Sequence, residues 1–156
     1  MEGFLVRILW SSNAHWCASG YGNQTALFLP RLAKLGHEMA LHAFFGLMGS
    51  IIHGDGGMPI YPGSPLSPHG QDLLIGHAND FRADVVLTLY DAWVVETEAT
   101  AQSGLRHALW FPVDHDPIPP PVLRKVKACW QPIVYSRFGE RMCHDAGIQP
   151  LYVPHG

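Results

Sequence analysis

The sequence predicts an α/β fold in which a parallel β-sheet carries helices on both of its faces. Short apolar runs of strand length alternate along the chain with segments whose apolar residues recur at helical spacing. The run at 84–90 is apolar on both faces, as is typical of a buried parallel strand. A length of 156 residues, with 47% hydrophobic and 15% charged residues, suits one folded domain of this class.

The first elements are a strand, a glycine turn, a helix and a second strand. The apolar run at 8–10 precedes a polar loop, and a helical pattern follows from 23 to 35. Pro30 lies inside this pattern, where its missing N–H predicts a kink or a shorter first segment. The run at 39–45 has strand length and completes a strand-helix-strand unit.

The rest of the chain repeats the alternation after a loop-rich stretch. Residues 46–70 are rich in glycine, proline and serine and predict loops with one short strand at 58–61. We expect later strands at 84–90, 107–111, 132–135 and 151–153, and helices at 71–81, 95–103, 122–128 and 137–146. Strands that alternate with helices in this way form a parallel sheet.

Charge and hydropathy exclude two classes of partner. The formal net charge of -3 and the scattered lysines and arginines argue against nucleic acid as a ligand. No run approaches the roughly 18 apolar residues of a membrane span, and the N-terminus lacks the features of a signal peptide. We therefore expect a cytoplasmic protein whose association with a membrane would be peripheral.

The cysteines and histidines do not predict a metal site. Cys17, Cys129 and Cys143 are odd in number and lack CxxC spacing, which favours free thiols in a reducing compartment. The ten histidines are dispersed, and no second histidine lies at ligand spacing from His115.

The glycine turn before the first helix suggests a site for an anion. Gly20, Tyr21 and Gly22 lie where a helix N-terminus can meet a phosphate. The third glycine of the dinucleotide fingerprint is missing, no acidic residue follows the second strand, and no P-loop is present. A phosphate-binding loop and a plain tight turn both remain open, because both use the conformational freedom of glycine.

Other polar residues follow strands in the predicted sheet, at the edge where α/β proteins bind ligands. His115 lies between Asp114 and Asp116 and can contact a sugar hydroxyl or carry a proton; the alternative is a solvated loop that begins a proline turn. Asp91 and Trp93 follow another strand and suit a carbohydrate, although Asp91 can equally cap a helix.

Seven short segments, in their order along the chain, resemble the N-terminal domain of GT-B glycosyltransferases of the large retaining family 4. They are RILWS at 7–11, GYG at 20–22, LAKLGHE at 32–38, DVV at 84–86, YSRFG at 135–139, AGI at 146–148 and YVPHG at 152–156. In that family two Rossmann-like domains face each other across a cleft. The N-terminal domain mainly binds the acceptor, and the C-terminal domain binds a nucleotide-sugar donor.

The resemblance implies a role for each candidate residue. Gly20, Tyr21 and Gly22 would approach the donor diphosphate, and His115 and Asp91 would be catalytic. Four further residues would bind the acceptor, namely Trp93, Asp114, Asp116 and Arg137. The family needs no bound divalent ion and no cofactor beyond the nucleotide-sugar substrate. The sequence around His115, PVDHDP, departs from the His-Asp pair that is usual in the family.

The resemblance also implies a domain organisation. Residues 1–153 would form the Rossmann-like N-terminal domain, and 154–156 would begin the linker to a C-terminal donor domain that is absent from this chain. Such a fragment is expected to fold without catalysing transfer. The alternative from another class is a free-standing flavodoxin-like module that binds a nucleotide or a flavin, because the serine-rich first loop can hold a phosphate.

Overall fold

The computed structural model, which describes residues 3–156, confirms the predicted Rossmann-like α/β class. Eight mostly parallel strands alternate with five α-helices in the described residues. The elements are β1 (Arg7–Asn13), α1 (Gly20–Lys34), β2 (Glu38–Phe45), β3 (Ile52–His53), β4 (Pro59–Pro62), α2 (Gln71–Phe81), β5 (Val85–Leu89), α3 (Thr97–Gln102), β6 (His107–Phe111), α4 (Pro120–Ala128), β7 (Gln131–Val134), α5 (Arg137–Asp145) and β8 (Leu151–Tyr152). The chain divides into two compact units, of which the first ends at Leu87 and the second begins at Thr88.

In the first unit the strands lie in the order β3-β4-β2-β1. β1 and β4 both run parallel to β2, and the short β3 pairs antiparallel with β4 at the edge. Trp10 in β1 is fully buried, and its indole N–H donates a hydrogen bond to the Thr25 hydroxyl of α1 at 3.0 Å. This buried bond fixes α1 against the sheet, because a buried indole N–H without a partner would be costly.

Helix α1 begins at Gly20, three residues before the predicted start, because Ser19 caps it. The Ser19 hydroxyl accepts a hydrogen bond from the Gly22 N–H, which satisfies one of the free donors of the first turn. Pro30 does not end the helix, which continues to Lys34. Gly36 follows with a φ of 94°, a left-handed conformation that glycine adopts without strain.

In the second unit β6, β7 and β8 are parallel neighbours. His107 of β6 is almost fully buried, and its two ring nitrogens hydrogen-bond Thr88 and Thr100, each at 2.8 Å. Burial lowers the pKa of His107 to about 4, because the charged form would lose its hydration. The neutral ring therefore joins β6 to Thr88 of β5 and to Thr100 of α3.

The ends of the elements in the second unit follow from local capping. Ser136 accepts a hydrogen bond from the Gly139 N–H at 2.9 Å and caps α5, as the sequence predicts. The predicted helix at 95–103 begins instead at Thr97, because Ala92–Val94 form a 3-10 turn. The sequence also did not predict β3, which is only two residues long.

Candidate functional site

A hydrogen-bonded loop joins the end of β1 to the start of α1. Asn13 is 6% exposed and donates a hydrogen bond from its side-chain nitrogen to the Ser19 hydroxyl oxygen at 2.9 Å. The same oxygen accepts the Gly22 N–H at 3.0 Å. The paired register of β1 and β2 shifts between Ser12 and Asn13, and β1 ends at Asn13, which pairs with Phe45. The amide of Asn13 is therefore held beside the N-terminus of α1.

One atom of the Asn13 amide lacks a hydrogen bond. Its oxygen is buried and has no partner among the described residues. The Ser19 hydroxyl can equally donate to the amide oxygen, which would leave the NH₂ group of Asn13 as the unpaired group instead. In either orientation a buried polar group lies unsatisfied at a helix N-terminus, and such groups in proteins nearly always have a partner.

The two glycines of the turn have different surroundings. A Cβ atom added to Gly22 would lie 2.2 Å from the Cys17 carbonyl oxygen and 3.0 Å from that of Ala14, so only glycine fits there. A Cβ added to Gly20 would have no atom within 4 Å. Tight packing of the loop thus explains Gly22, whereas Gly20 is exposed and leaves its backbone open to a ligand. Tyr21 between them is half-buried.

In the second unit, Asp91 follows β5 and occupies the N-cap position of the 3-10 turn at Ala92–Val94. Its side chain makes no capping hydrogen bond, so the simple capping interpretation of this aspartate is wrong. Trp93 in the same turn is 64% exposed. The structure thus places Asp91 and Trp93 two residues apart in one short turn.

The remaining candidate residues of the second unit follow β6 and β7. Asp114, His115 and Asp116 are exposed, and the His115 Nδ1 pairs with an Asp114 carboxylate oxygen. Arg137 begins α5, pairs with Glu140 at 2.7 Å, and places its guanidinium carbon 3.7 Å from the centre of the Tyr152 ring. These two exposed ion pairs lie at the carboxyl ends of neighbouring parallel strands.

The first unit also contains a buried histidine that sequence analysis did not single out. His42 of β2 is fully buried, and its Nδ1 lies 2.9 Å from the Ser11 hydroxyl. Its Nε2 has no partner among the described residues. Burial, and then the neighbouring His77, lower the pKa of His42 to about 3. The sequence did contain a signal for the burial of His42, because the other residues from 39 to 44 are apolar.

The cavities of the first unit include two with volumes of about 880 Å³ and about 700 Å³. The larger of these extends along α1 to the amino ends of β1, β2 and β4, away from the sheet edge where α/β proteins bind ligands, and includes Met39 and Met58 in its lining. The smaller, about 700 Å³, lies at the carboxyl ends of β2 and β4, and we call it the β2/β4 pocket. Met48, Ile51, Pro62, Pro65, Leu73 and His77 are among its lining residues.

The other predicted properties concern thiols, metals and membranes. The three cysteines are free, as expected, and burial raises the pKa of Cys129 to about 12 and that of Cys143 to about 11. Within residues 3–156 there is no group of three or more histidine, cysteine or acidic side chains that could hold a metal ion. Over the same residues, each helix is too short or too polar to cross a membrane.

The fold and the α1 loop define a Rossmann-like α/β protein with an unsatisfied polar group at a helix N-terminus. The chain matches no protein-family model and no curated protein sequence.

Proposed function

We propose that the protein is the acceptor-binding part of a retaining glycosyltransferase that takes a nucleotide sugar as donor. The unpaired amide atom of Asn13 beside the Ser19 cap is the observation that carries the proposal. When the amide is turned so that its oxygen accepts from the Ser19 hydroxyl, its NH₂ group, the open backbone at Gly20 and the helix dipole together favour a phosphate oxygen. A diphosphate leaving group gains negative charge as the sugar departs, and such donors stabilise that charge.

The exposed side chains of the second unit supply groups suited to a sugar. The ring of Trp93 offers an apolar face, and Asp91 and His115 offer polar groups that can contact the transferred sugar. Asp114, Asp116 and Arg137 are the proposed contacts with the acceptor. A C-terminal donor domain that binds the nucleotide completes the proposed enzyme.

The anion site is tested by titrating the protein with inorganic pyrophosphate while the backbone amide signals are followed by NMR. We expect a saturable shift of the Gly20 amide with weak, millimolar affinity, because the donor domain would supply most of the binding energy. Asn13→Asp keeps the shape of the side chain and adds a negative charge beside the helix N-terminus. This variant is expected to abolish the shift.

Asn23→Asp is the matched control for this experiment. It adds the same charge at an exposed position near the start of the same helix. Among the described hydrogen bonds, the Asn23 side chain makes none to Ser19. Equal loss of pyrophosphate binding in both variants would mean that only general electrostatics is at work. Tight binding of pyrophosphate, or a shift that survives Asn13→Asp, would contradict the proposed site.

A further inference from the structure

The β2/β4 pocket has an apolar lining at the ligand-binding edge of the first unit. It lies between the segments 48–51 and 62–65, which directly follow the carboxyl ends of β2 and β4. Its lining contains no aspartate, glutamate, lysine or arginine. A volume of about 700 Å³ lies within the range of small-ligand sites. The location and the lining therefore suit a small ligand with an uncharged, apolar part.

Two large apolar side chains of this pocket are exposed to solvent. Met48 is 56% exposed and Ile51 is 46% exposed, and both belong to a loop without charged residues. Exposed apolar surface that lines a concavity is a feature of ligand sites, because its burial against a ligand is favourable. Methionine also adapts its shape to different apolar partners.

His77 provides the one titratable group in the lining. Its Nε2 lies 3.1 Å from the Pro62 carbonyl oxygen, which can only accept a hydrogen bond, so Nε2 carries the proton. Burial lowers the pKa of His77, and in the neutral ring Nδ1 is therefore a hydrogen-bond acceptor. The Tyr61 ring, with its centre 4.7 Å from that of His77, packs against the imidazole and restricts its position.

We propose that the β2/β4 pocket binds the apolar part of the acceptor, so that the acceptor is an amphiphile carrying an alkyl or aryl group next to a hydroxyl group. The apolar group packs against Met48 and Ile51, and His77 accepts a hydrogen bond from a hydroxyl. That the ligand is an acceptor rests on the proposed function, whereas the binding itself does not. The occupant is a small molecule, because a volume of about 700 Å³ lies within the range of small-ligand sites.

The test uses octyl β-D-glucoside, below its micelle concentration, and glucose as probes of protein labelled with ¹³C at the methionine methyl groups. Met48 reports on the β2/β4 pocket and Met58 on the larger cavity along α1. We expect a saturable shift of the Met48 methyl signal with octyl glucoside, none with glucose, and no change at Met58. A shift at Met58 alone, no saturable shift at Met48, or an equal response to glucose would each overturn the proposal.

Ile51→Ser and Ile52→Ser form a matched pair of variants. Ile51 lines the pocket and Ile52 does not, and the two side chains are 46% and 40% exposed, so neither change removes a buried core residue. Ile51→Ser is expected to weaken octyl glucoside binding about fivefold, because the alkyl chain loses its contact with one half-exposed isoleucine. Ile52→Ser should bind as the unchanged protein does. Equal weakening in both variants would contradict the proposed location.

This experiment separates the failure of the pocket from the failure of the proposed function. If Met48 responds to octyl glucoside but pyrophosphate causes no saturable shift at Gly20, the apolar pocket stands and the glycosyltransferase proposal fails. If pyrophosphate binds at Gly20 while Met48 shows no response, the acceptor proposal fails and the glycosyltransferase proposal is unaffected.

Discussion

Replacing Gly22 with alanine is expected to destabilise the protein by about 3 kcal/mol, the cost of forcing a methyl group into a filled space. The new Cβ would lie 2.2 Å from the Cys17 carbonyl oxygen, which is a backbone atom and cannot rotate away. Either the loop from Ala14 to Ser19 or the first turn of α1 must move. Both movements disturb the hydrogen bond between Gly22 and Ser19.

Gly20→Ala is the control for this prediction. Its Cβ would enter open space, and alanine reduces the entropy of the unfolded chain, so stability should be unchanged or should rise by about 0.5 kcal/mol. Urea unfolding of both variants beside the unchanged protein measures the difference. If Gly22→Ala were as stable as Gly20→Ala, the described packing of the glycine loop would be wrong.

The protein is also expected to lose stability steeply as the pH falls from 6.5 towards 4. His42 and His107 are buried and neutral, with pKa values of about 3 and about 4 in the folded protein against 6.5 for an unperturbed histidine. Within this pH window the unfolded chain binds a proton at each site that the folded protein does not bind. The free energy of unfolding therefore falls by about 1.4 kcal/mol per pH unit for each histidine.

Urea unfolding at several pH values across this window measures the slope. Carboxylates also contribute to it, so the difference between the protein and a His42→Asn variant isolates one histidine. Asparagine can keep a hydrogen bond to Ser11 and does not titrate. The slope of the variant should be smaller by about 1.4 kcal/mol per pH unit. Identical slopes would show that His42 is not held neutral by burial.

Most of the fold was predictable from the sequence, because it depends on periodic apolar residues. The predicted helix at 71–81 and the predicted strand at 107–111 agree with α2 and β6. Capping residues also gave clear signals, as Ser136 shows at the start of α5. The start of α1 was missed because residues 20–22 are not apolar at helical spacing, and only the Ser19 cap places them in the helix.

The site was less predictable, because its defining contacts join residues that have no shared pattern in the sequence. Asn13 and Ser19 are six positions apart and meet only because the loop folds back on itself. The different roles of Gly20 and Gly22 depend on carbonyl groups of that loop, which no spacing rule shows. His42 resembled the other dispersed histidines, and its burial became evident only with β2 in the middle of the first unit's sheet.

Sugar transfer is the most direct test of the central proposal. The protein, expressed from its complete reading frame, would be incubated with nucleotide sugars of different bases and hexoses and with an alkyl glucoside acceptor. We expect transfer from at least one donor with retention of the anomeric configuration. Asn13→Asp should lower kcat/KM by at least about tenfold, because it places a negative charge near the departing diphosphate, and Asn23→Asp should have a much smaller effect. Inversion at the anomeric carbon, or no transfer from any donor, would contradict the account.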